Sequence, residues 1–371
     1  MASANEARPA AVPDEMVAAV LLRPFEVRLE RRPTPRPQAD EVLIKVMAVG
    51  VCGSDVHYYE HGKIGRYIVD RPLVLGHECA GVVAAVGAAV TRFAPGDRVA
   101  VEPGMTCGRC SACKSGRYNL CPDVRFLATP PVGGAFAQYV AIREDFVFPI
   151  PEGVSFERAA MNEPFSVGLH AVRRAGMKTG DTVAIMGMGP VGLLAVVAAK
   201  ACGAARVFVS DVEPLRLDAA LKLGAELAVN AGNEDAAEAI RSATGGEGAD
   251  VSIETAGNPR ALRSALLATR RGGAVAVVGL PPEGRAELDV SYLVDNEIDV
   301  RGVFRYANTY PLGLSLLADP ARKIEALFTD VFPLEESAAA LERARTNKSG
   351  SLKVFVYPNG GTGSWNGAME K

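Results

Sequence analysis

Several scarcities narrow this chain before any motif does. A net charge of only −3 and a pI of about 5.9 leave no basic surplus, so neither nucleic acid nor an anionic membrane is an expected partner. Disorder is excluded on composition, since hydrophobic residues make up 49% and charged residues 22%, the proportions of a globular protein. Long apolar runs are missing as well. The uncharged run 183–199 is interrupted by Gly187, Gly189, Pro190 and Gly192 and falls short of the roughly 18 apolar residues that mark a membrane helix. Residues 1–13 hold no apolar centre followed by a cleavage site, so a cytoplasmic protein with a loose lead-in is expected. The seven cysteines are an odd number, and four of them fall between Cys107 and Cys121. In a long chain without a leader, such clustering points to metal before disulfides.

What is present begins with length. A chain of 371 residues is too long for one ordinary core and suggests two domains. Residues 181–211 parse as strand, glycine turn, helix and strand, the turn being Gly187-Met188-Gly189-Pro190-Val191-Gly192. Gly187 lets the chain turn sharply, Gly189 lets backbone approach a pyrophosphate, and Gly192 lets the helix pack closely. The open N–H groups at the helix start favour phosphate. Asp211 ends the second strand about 20 residues on, where an acid accepts hydrogen bonds from the adenosine ribose and disfavours a 2′-phosphate, so NAD is expected over NADP. Beyond it, helices over 215–223, 234–242 and 259–269 alternate with strands over 228–230, 249–254 and 274–278, the pattern of a parallel doubly wound sheet.

The opening of the chain has a different texture. Residues 16–31 and 41–49 read as strands around a proline-rich 32–38, a mostly β beginning. It delivers Cys52, and later His77-Glu78. Thiolate, imidazole and carboxylate are the ligand set of a catalytic zinc, three protein ligands leaving a fourth position open. Adjacent His and Glu cannot face one point from a regular strand, so a loop or bend is expected there. Cys107, Cys110 and Cys113, with Cys121 a short loop later, can wrap one tetrahedral ion, and four thiolates close the shell of a structural zinc.

Residues 40–358 resemble the zinc-dependent medium-chain dehydrogenases, and within them the polyol branch of sorbitol and xylitol dehydrogenases. The resemblance rests on Gly76-His77-Glu78, the four-cysteine lobe and the glycine turn. It is sharpened by Cys52-Gly53-Ser54-Asp55-Val56-His57-Tyr58-Tyr59, Gly116-Arg117-Tyr118-Asn119-Leu120, Phe126-Leu127-Ala128-Thr129-Pro130-Pro131, Asn162-Glu163-Pro164-Phe165 and Phe304-Arg305-Tyr306-Ala307-Asn308. It implies a Rossmann domain beside a GroES-like catalytic domain, two zinc ions and NAD per subunit, and a homotetramer oxidising a sugar alcohol to its ketose. Cys52, His77 and Glu78 match the catalytic zinc ligands, and Glu163 a carboxylate beside them. Tyr58, Phe126, Arg305 and Tyr306 match the lining of the polyol pocket. Val191, Asp211, Arg216, Val278, Gly279, Leu280, Val303, Phe304 and Arg305 match cofactor contacts. Ser54 and His57 match a path by which a proton leaves. Asn162 departs from the pattern, since relatives often carry an aliphatic residue before that glutamate.

The domains expected are residues 1–165 with 300–371 for the catalytic part, holding the zinc lobe at 104–122, and 166–299 for NAD. Flexible ends are expected over 1–13 and 359–371. His61 reads as a surface group, and His170, Cys79 and Cys202 as packing residues. The alternatives are a zinc dehydrogenase for another alcohol or threonine, and a nucleotide-binding subunit without catalysis.

Overall fold

The computed structural model describes residues 11–281 and 284–360. The mostly β part is built on Glu41–Gly50, nearly all of it buried, because strands flank it on both edges. Glu78–Val86 pairs with it antiparallel on one edge, and Tyr139–Arg143 and Lys353–Tyr357 share the other. Arg98–Val101, Val147–Pro149 and Phe328–Pro333 complete this seven-stranded sheet. Its register matters for function. Gly50 lies opposite Glu78 on one side and Phe355 on the other, so Glu78 and the strand bearing Lys353 meet there. A smaller sheet joins Glu15–Arg23, Glu26–Pro33 and Leu73–Val74. The single strand expected over 16–31 is therefore a hairpin, turning at Pro24-Phe25 with Phe25 at φ 63°.

The second sheet has six parallel strands in the order Leu227–Asn230, Arg206–Asp211, Thr182–Met186, Ala249–Glu254, Thr269–Val277, Asp299–Gly302. This is the doubly wound Rossmann arrangement. Strand order reverses between Thr182–Met186 and Ala249–Glu254, and a crevice at the carboxyl ends of those strands is where such sheets bind ligands. The helix Pro190–Ala201 begins at that crevice, with Gly189 as its N-cap. Buried residues of the two sheets, among them Ala80, Ala100 and Phe355 on one and Val183 and Ile185 on the other, share one apolar core through Phe165 and Leu169 of the helix Asn162–Ala175. The divisions drawn at 165 and 299 cut through that helix and through Asp299–Gly302, and both elements run on unbroken.

Of the ends expected to be flexible, residues 1–10 and 361–371 lie outside the described residues, Trp365 with them. The inner parts are anchored. Val12 packs on the core, and the Asn359 side-chain amide donates to the carbonyls of Val46 at 2.9 Å and Gln138 at 2.8 Å. Among the described residues no helix is long and apolar enough to cross a membrane.

Candidate active site

Two segments separated in sequence bring Cys52 and the adjacent His77 and Glu78 together, their ligand atoms all within 4.8 Å of one another. Cys52 is the N-cap of the helix Gly53–His61 and its N–H donates to Asp55 at 3.0 Å. Asp55 is fully buried. Its other oxygen accepts from the Gly76 N–H at 2.9 Å and stands 3.7 Å from His77 Nδ1. One carboxylate thus fixes the thiol's helix turn and the loop carrying the imidazole, the bracing expected behind a metal ligand. His77 sits in the loop and Glu78 opens the strand, which is how neighbouring side chains face one point.

Glu78 is 1% exposed, and its Oε2 receives the ammonium of Lys353, itself 2% exposed. Lys353 Nζ also donates to the Val51 carbonyl at 3.0 Å. Gly50 completes the cradle, for a Cβ there would stand 2.0 Å from Glu78 Oε2. Burial opposes a charge on His77, yet Asp55 and the Cys52 sulfur outweigh it and hold the imidazole well above its ordinary range. The donor set combines a half-buried thiol with a buried imidazole and a buried carboxylate that converge on one point. It fits a zinc ion.

Glu163 joins this group from the first turn of the helix Asn162–Ala175. It is 4% exposed. Burial is the main reason its carboxyl is pushed up to about 7, with the Glu78 charge adding and His77 opposing. Tyr306 donates its hydroxyl to Glu163 Oε1 at 2.8 Å. The Arg305 guanidinium lies 3.8 Å from the centre of the Phe126 ring, and that ring lies 5.5 Å from His77. Arg305 Nη1 is buried with no hydrogen-bond partner, and the residue holds φ 51°. Tyr58 is 3% exposed. Its hydroxyl is pushed up to about 12, chiefly by burial, and Arg305 and His77 both lie close enough to act on it. The expected lining therefore converges beside the three ligands. Ser54 and His57 are not joined by a hydrogen bond. His57 is exposed and its ring packs edge-on against His61, 5.3 Å between centres.

The glycine turn leads to the crevice. Gly187 holds φ 95°, and a Cβ on Gly192 would meet the Gly187 carbonyl at 1.9 Å, so the helix can begin here only without side chains at those places. Space beside Gly189 is open. Asp211 accepts from Met188 N–H at 2.5 Å through one oxygen, and from Val212 and Glu213 N–H at 2.8 and 3.0 Å through the other. It braces the turn from the carboxyl end of its own strand. Arg216 Nη1 stands 3.9 Å away. Val191 lies in the first turn of the Pro190–Ala201 helix. Val278, Gly279 and Leu280, and Val303 and Phe304, follow the carboxyl ends of the last two strands, with Leu280 and Phe304 at 72% and 42% exposure.

The four lobe cysteines also gather their sulfurs within 4.8 Å. Cys107 and Cys113 Sγ are 4.0 Å apart, and Cys110 and Cys113 Sγ 3.4 Å. Four thiolates around an ion at about 2.3 Å stand roughly 3.8 Å apart, so this cage is the right size for zinc. Backbone N–H groups of Cys107, Cys110 and Cys113 donate to lobe sulfurs, each at 3.4 Å, and favour thiolates. Sequence reasoning gave no role to Lys353, Asp55 or Gly50. The Asp three residues after Cys52 was the one local signal available, a capping spacing.

Residues 38–152 match the alcohol dehydrogenase GroES-like domain, and residues 190–319 the zinc-binding dehydrogenase domain. Sorbitol dehydrogenase of Bacillus subtilis (strain 168) is 58% identical over 94% of this chain and 99% of its own length. That of Bos taurus is 42% identical over 94% and 97%. Among solved structures, an Escherichia coli oxidoreductase/dehydrogenase of unknown specificity superposes with a TM-score of 0.89 at 36% identity, covering 92% of this chain and 99% of that one. Sequence, fold and metal-ligand geometry agree, and the chain belongs to the zinc-dependent medium-chain dehydrogenases, in their polyol branch.

Proposed function

We propose that this enzyme oxidises a secondary hydroxyl of a sugar alcohol, of the sorbitol or xylitol kind, to the ketose, with NAD as the hydride acceptor. The observation that carries the reading is the buried, unpartnered Nη1 of the half-buried Arg305, set beside Tyr306, Phe126 and the Cys52, His77 and Glu78 cluster. A simple alcohol leaves that donor without a partner, whereas a polyol brings a neighbouring hydroxyl to it. A pocket built to bond hydroxyls penalises substrates that lack them.

Cys52, His77 and Glu78 would hold one zinc ion, and Cys107, Cys110, Cys113 and Cys121 a second. The first supplies Lewis acidity that eases loss of the alcohol proton near neutral pH, and NAD supplies the acceptor for the carbon-bound hydride. The protein's own groups do the rest. Asp55 orients His77, and Lys353 balances Glu78. Glu163 takes the hydroxyl proton at Oε2, the oxygen Tyr306 does not hold. Ser54 and His57 offer a second exit for that proton on the Gly53–His61 helix. The glycine turn and Asp211 seat the pyrophosphate and ribose, while Val278, Gly279, Leu280, Val303 and Phe304 wall the crevice.

All seven cysteines are free thiols, which suits the cytoplasm. A homotetramer is the expected assembly. Among the described residues the strand Asp299–Gly302 leaves one edge of the parallel sheet unpaired, and the helix Val290–Asp295 that precedes it exposes Val290 and Val294 at 67% and 69%, a surface that suits a second copy of the chain.

Metal analysis with initial rates on C4 to C6 polyols tests the reading. Zinc near two per chain and a polyol preference over simple alcohols of similar size is expected; faster turnover of the simple alcohols would overturn it. Asp211→Ala should cost NAD about 10- to 100-fold in affinity, from the loss of about 1.5–3 kcal/mol of charge-assisted hydrogen bonding, and cost NADP less. An unchanged NAD to NADP ratio would remove the role given to that acid.

A further inference from the structure

Asn162 immediately precedes Glu163 and is fully buried, yet it is only half satisfied. Its Nδ2 donates to the Tyr310 carbonyl at 3.3 Å, and its Oδ1 has no hydrogen-bond partner. An apolar side chain of similar volume would fill this place without burying an orphan acceptor. Packing alone therefore does not account for an amide here.

Its hydrogen bond and its close approach to a glycine both involve one element. Tyr310 opens the helix Tyr310–Leu317. Gly313 of the same helix lies so close that a Cβ there would stand 2.1 Å from Asn162 Oδ1. Tyr310 is itself held by its hydroxyl, which donates to the Val101 carbonyl at 2.6 Å. Its ring packs against Tyr306 with centres 5.8 Å apart. Tyr306 then donates to Glu163, on the same helical turn as Asn162. The path closes on itself: amide, Tyr310, Tyr306, Glu163 and back to the amide's own helix. The segment it closes includes Asn308 and is entered from Arg305, both non-glycine residues at positive φ, a backbone that holds its course only when its surroundings impose it.

We propose that Asn162 is a positioning residue for the substrate end of the site: by clamping the start of the Tyr310–Leu317 helix to the Glu163 turn, it aims the Tyr306 hydroxyl at Glu163 and sets the course of the Arg305 loop. The inference deepens the function proposed above and depends on it only for the choice of substrate.

The test is a double-mutant cycle. Asn162→Leu should lower kcat/KM for the best polyol about tenfold while zinc content and the Kd for NAD stay unchanged. Tyr306→Phe removes the hydroxyl that the clamp aims and leaves only the share exerted through Arg305, so Asn162→Leu should cost markedly less in that background than in the wild type. Losses that multiply in the double variant, or a single Asn162→Leu variant with wild-type kcat/KM, would overturn the proposal. Should Asn162→Leu fail to fold, Gly313→Ala presses on the same amide from the facing helix; its loss should match, and adding Asn162→Ala should cost nothing further because the clamp is already broken, so losses that multiply there are equally decisive against the clamp. A crystal structure of a folded variant separates this question from the substrate. A Tyr306–Glu163 bond still at its original length would sink the positioning role even if the polyol reading stands, and a lengthened one would support it even if wild-type enzyme turned over no polyol.

Discussion

The two cysteine-bearing candidate metal sites are built on opposite plans. The lobe draws all four ligands from Cys107 to Cys121, leaves three of them only half-buried, and takes its local bracing from neighbouring N–H groups. The Cys52, His77 and Glu78 site draws its ligands from two loops and a strand, buries His77 and Glu78, and is braced by a lysine 275 residues away from Glu78. A site that closes on itself locally can stabilise a surface loop but leaves nothing open for a substrate. A site assembled across the fold carries the cost of burying charge, and that cost is what makes it responsive to a metal and to a hydroxyl oxygen.

The largest expected contrast is in chemistry. Cys52→Ala should lose the site's zinc and bring turnover down to the assay background, while NAD titration and the melting temperature stay close to wild type. Retained turnover would refute the ligand role. Next comes the charge balance. Lys353→Met leaves Glu78 buried without a counter-charge, which costs about 3–5 kcal/mol when nothing replaces the lost partner. A zinc ion held by Glu78 would take over that duty. The melting temperature of the variant should therefore fall steeply after treatment with a chelator and far less in the zinc-loaded protein; equal falls would mean that Lys353 does not answer the charge a metal answers. Smaller again is the effect at the lobe. Cys110→Ser should release one zinc per chain and lower the melting temperature by several degrees while kcat per folded molecule is kept, as measured by metal analysis beside calorimetry. A stability left unchanged would deny the lobe its structural role.

The same contrast explains what could be read before the fold was known. The lobe was legible because its spacing is its geometry: three thiols at intervals of three and a fourth soon after. The glycine turn was legible for the same reason, strand, turn and helix being consecutive. The trio was legible in residue type and through family resemblance, since no short-range pattern ties Cys52 to His77. Lys353 was not legible. A lysine at the start of a terminal strand is ordinarily a solvated charge, and only the register that sets Gly50 between Glu78 and the Lys353 strand buries it. Asn162 was noticed as a departure, but its partner Tyr310 is 148 residues on, and no pattern in the chain pairs them. The hairpin at Phe25 is hard to read because the continuous apolar run 16–22 leads into Arg23-Pro24-Phe25 with no glycine to mark the tight turn.

The smallest effect concerns the proton. Glu163 is pushed up to about 7 chiefly by its burial, while the Tyr306 hydroxyl bond holds it down. Its neutral form cannot accept the substrate proton, so kcat/KM should rise with pH, by about tenfold per unit below that value, and level off above it. Glu163→Gln should flatten this limb along with lowering the rate. Tyr306→Phe removes a bond that favours the carboxylate, so the limb should move to higher pH, with the zinc ligands untouched. A limb that stays in place in Tyr306→Phe would assign the titration to another group and take the proton step away from Glu163. A limb that moves upward would show that the open site, unlike the closed lobe, has its reactivity set by the residues around its ligands rather than by the ligands alone.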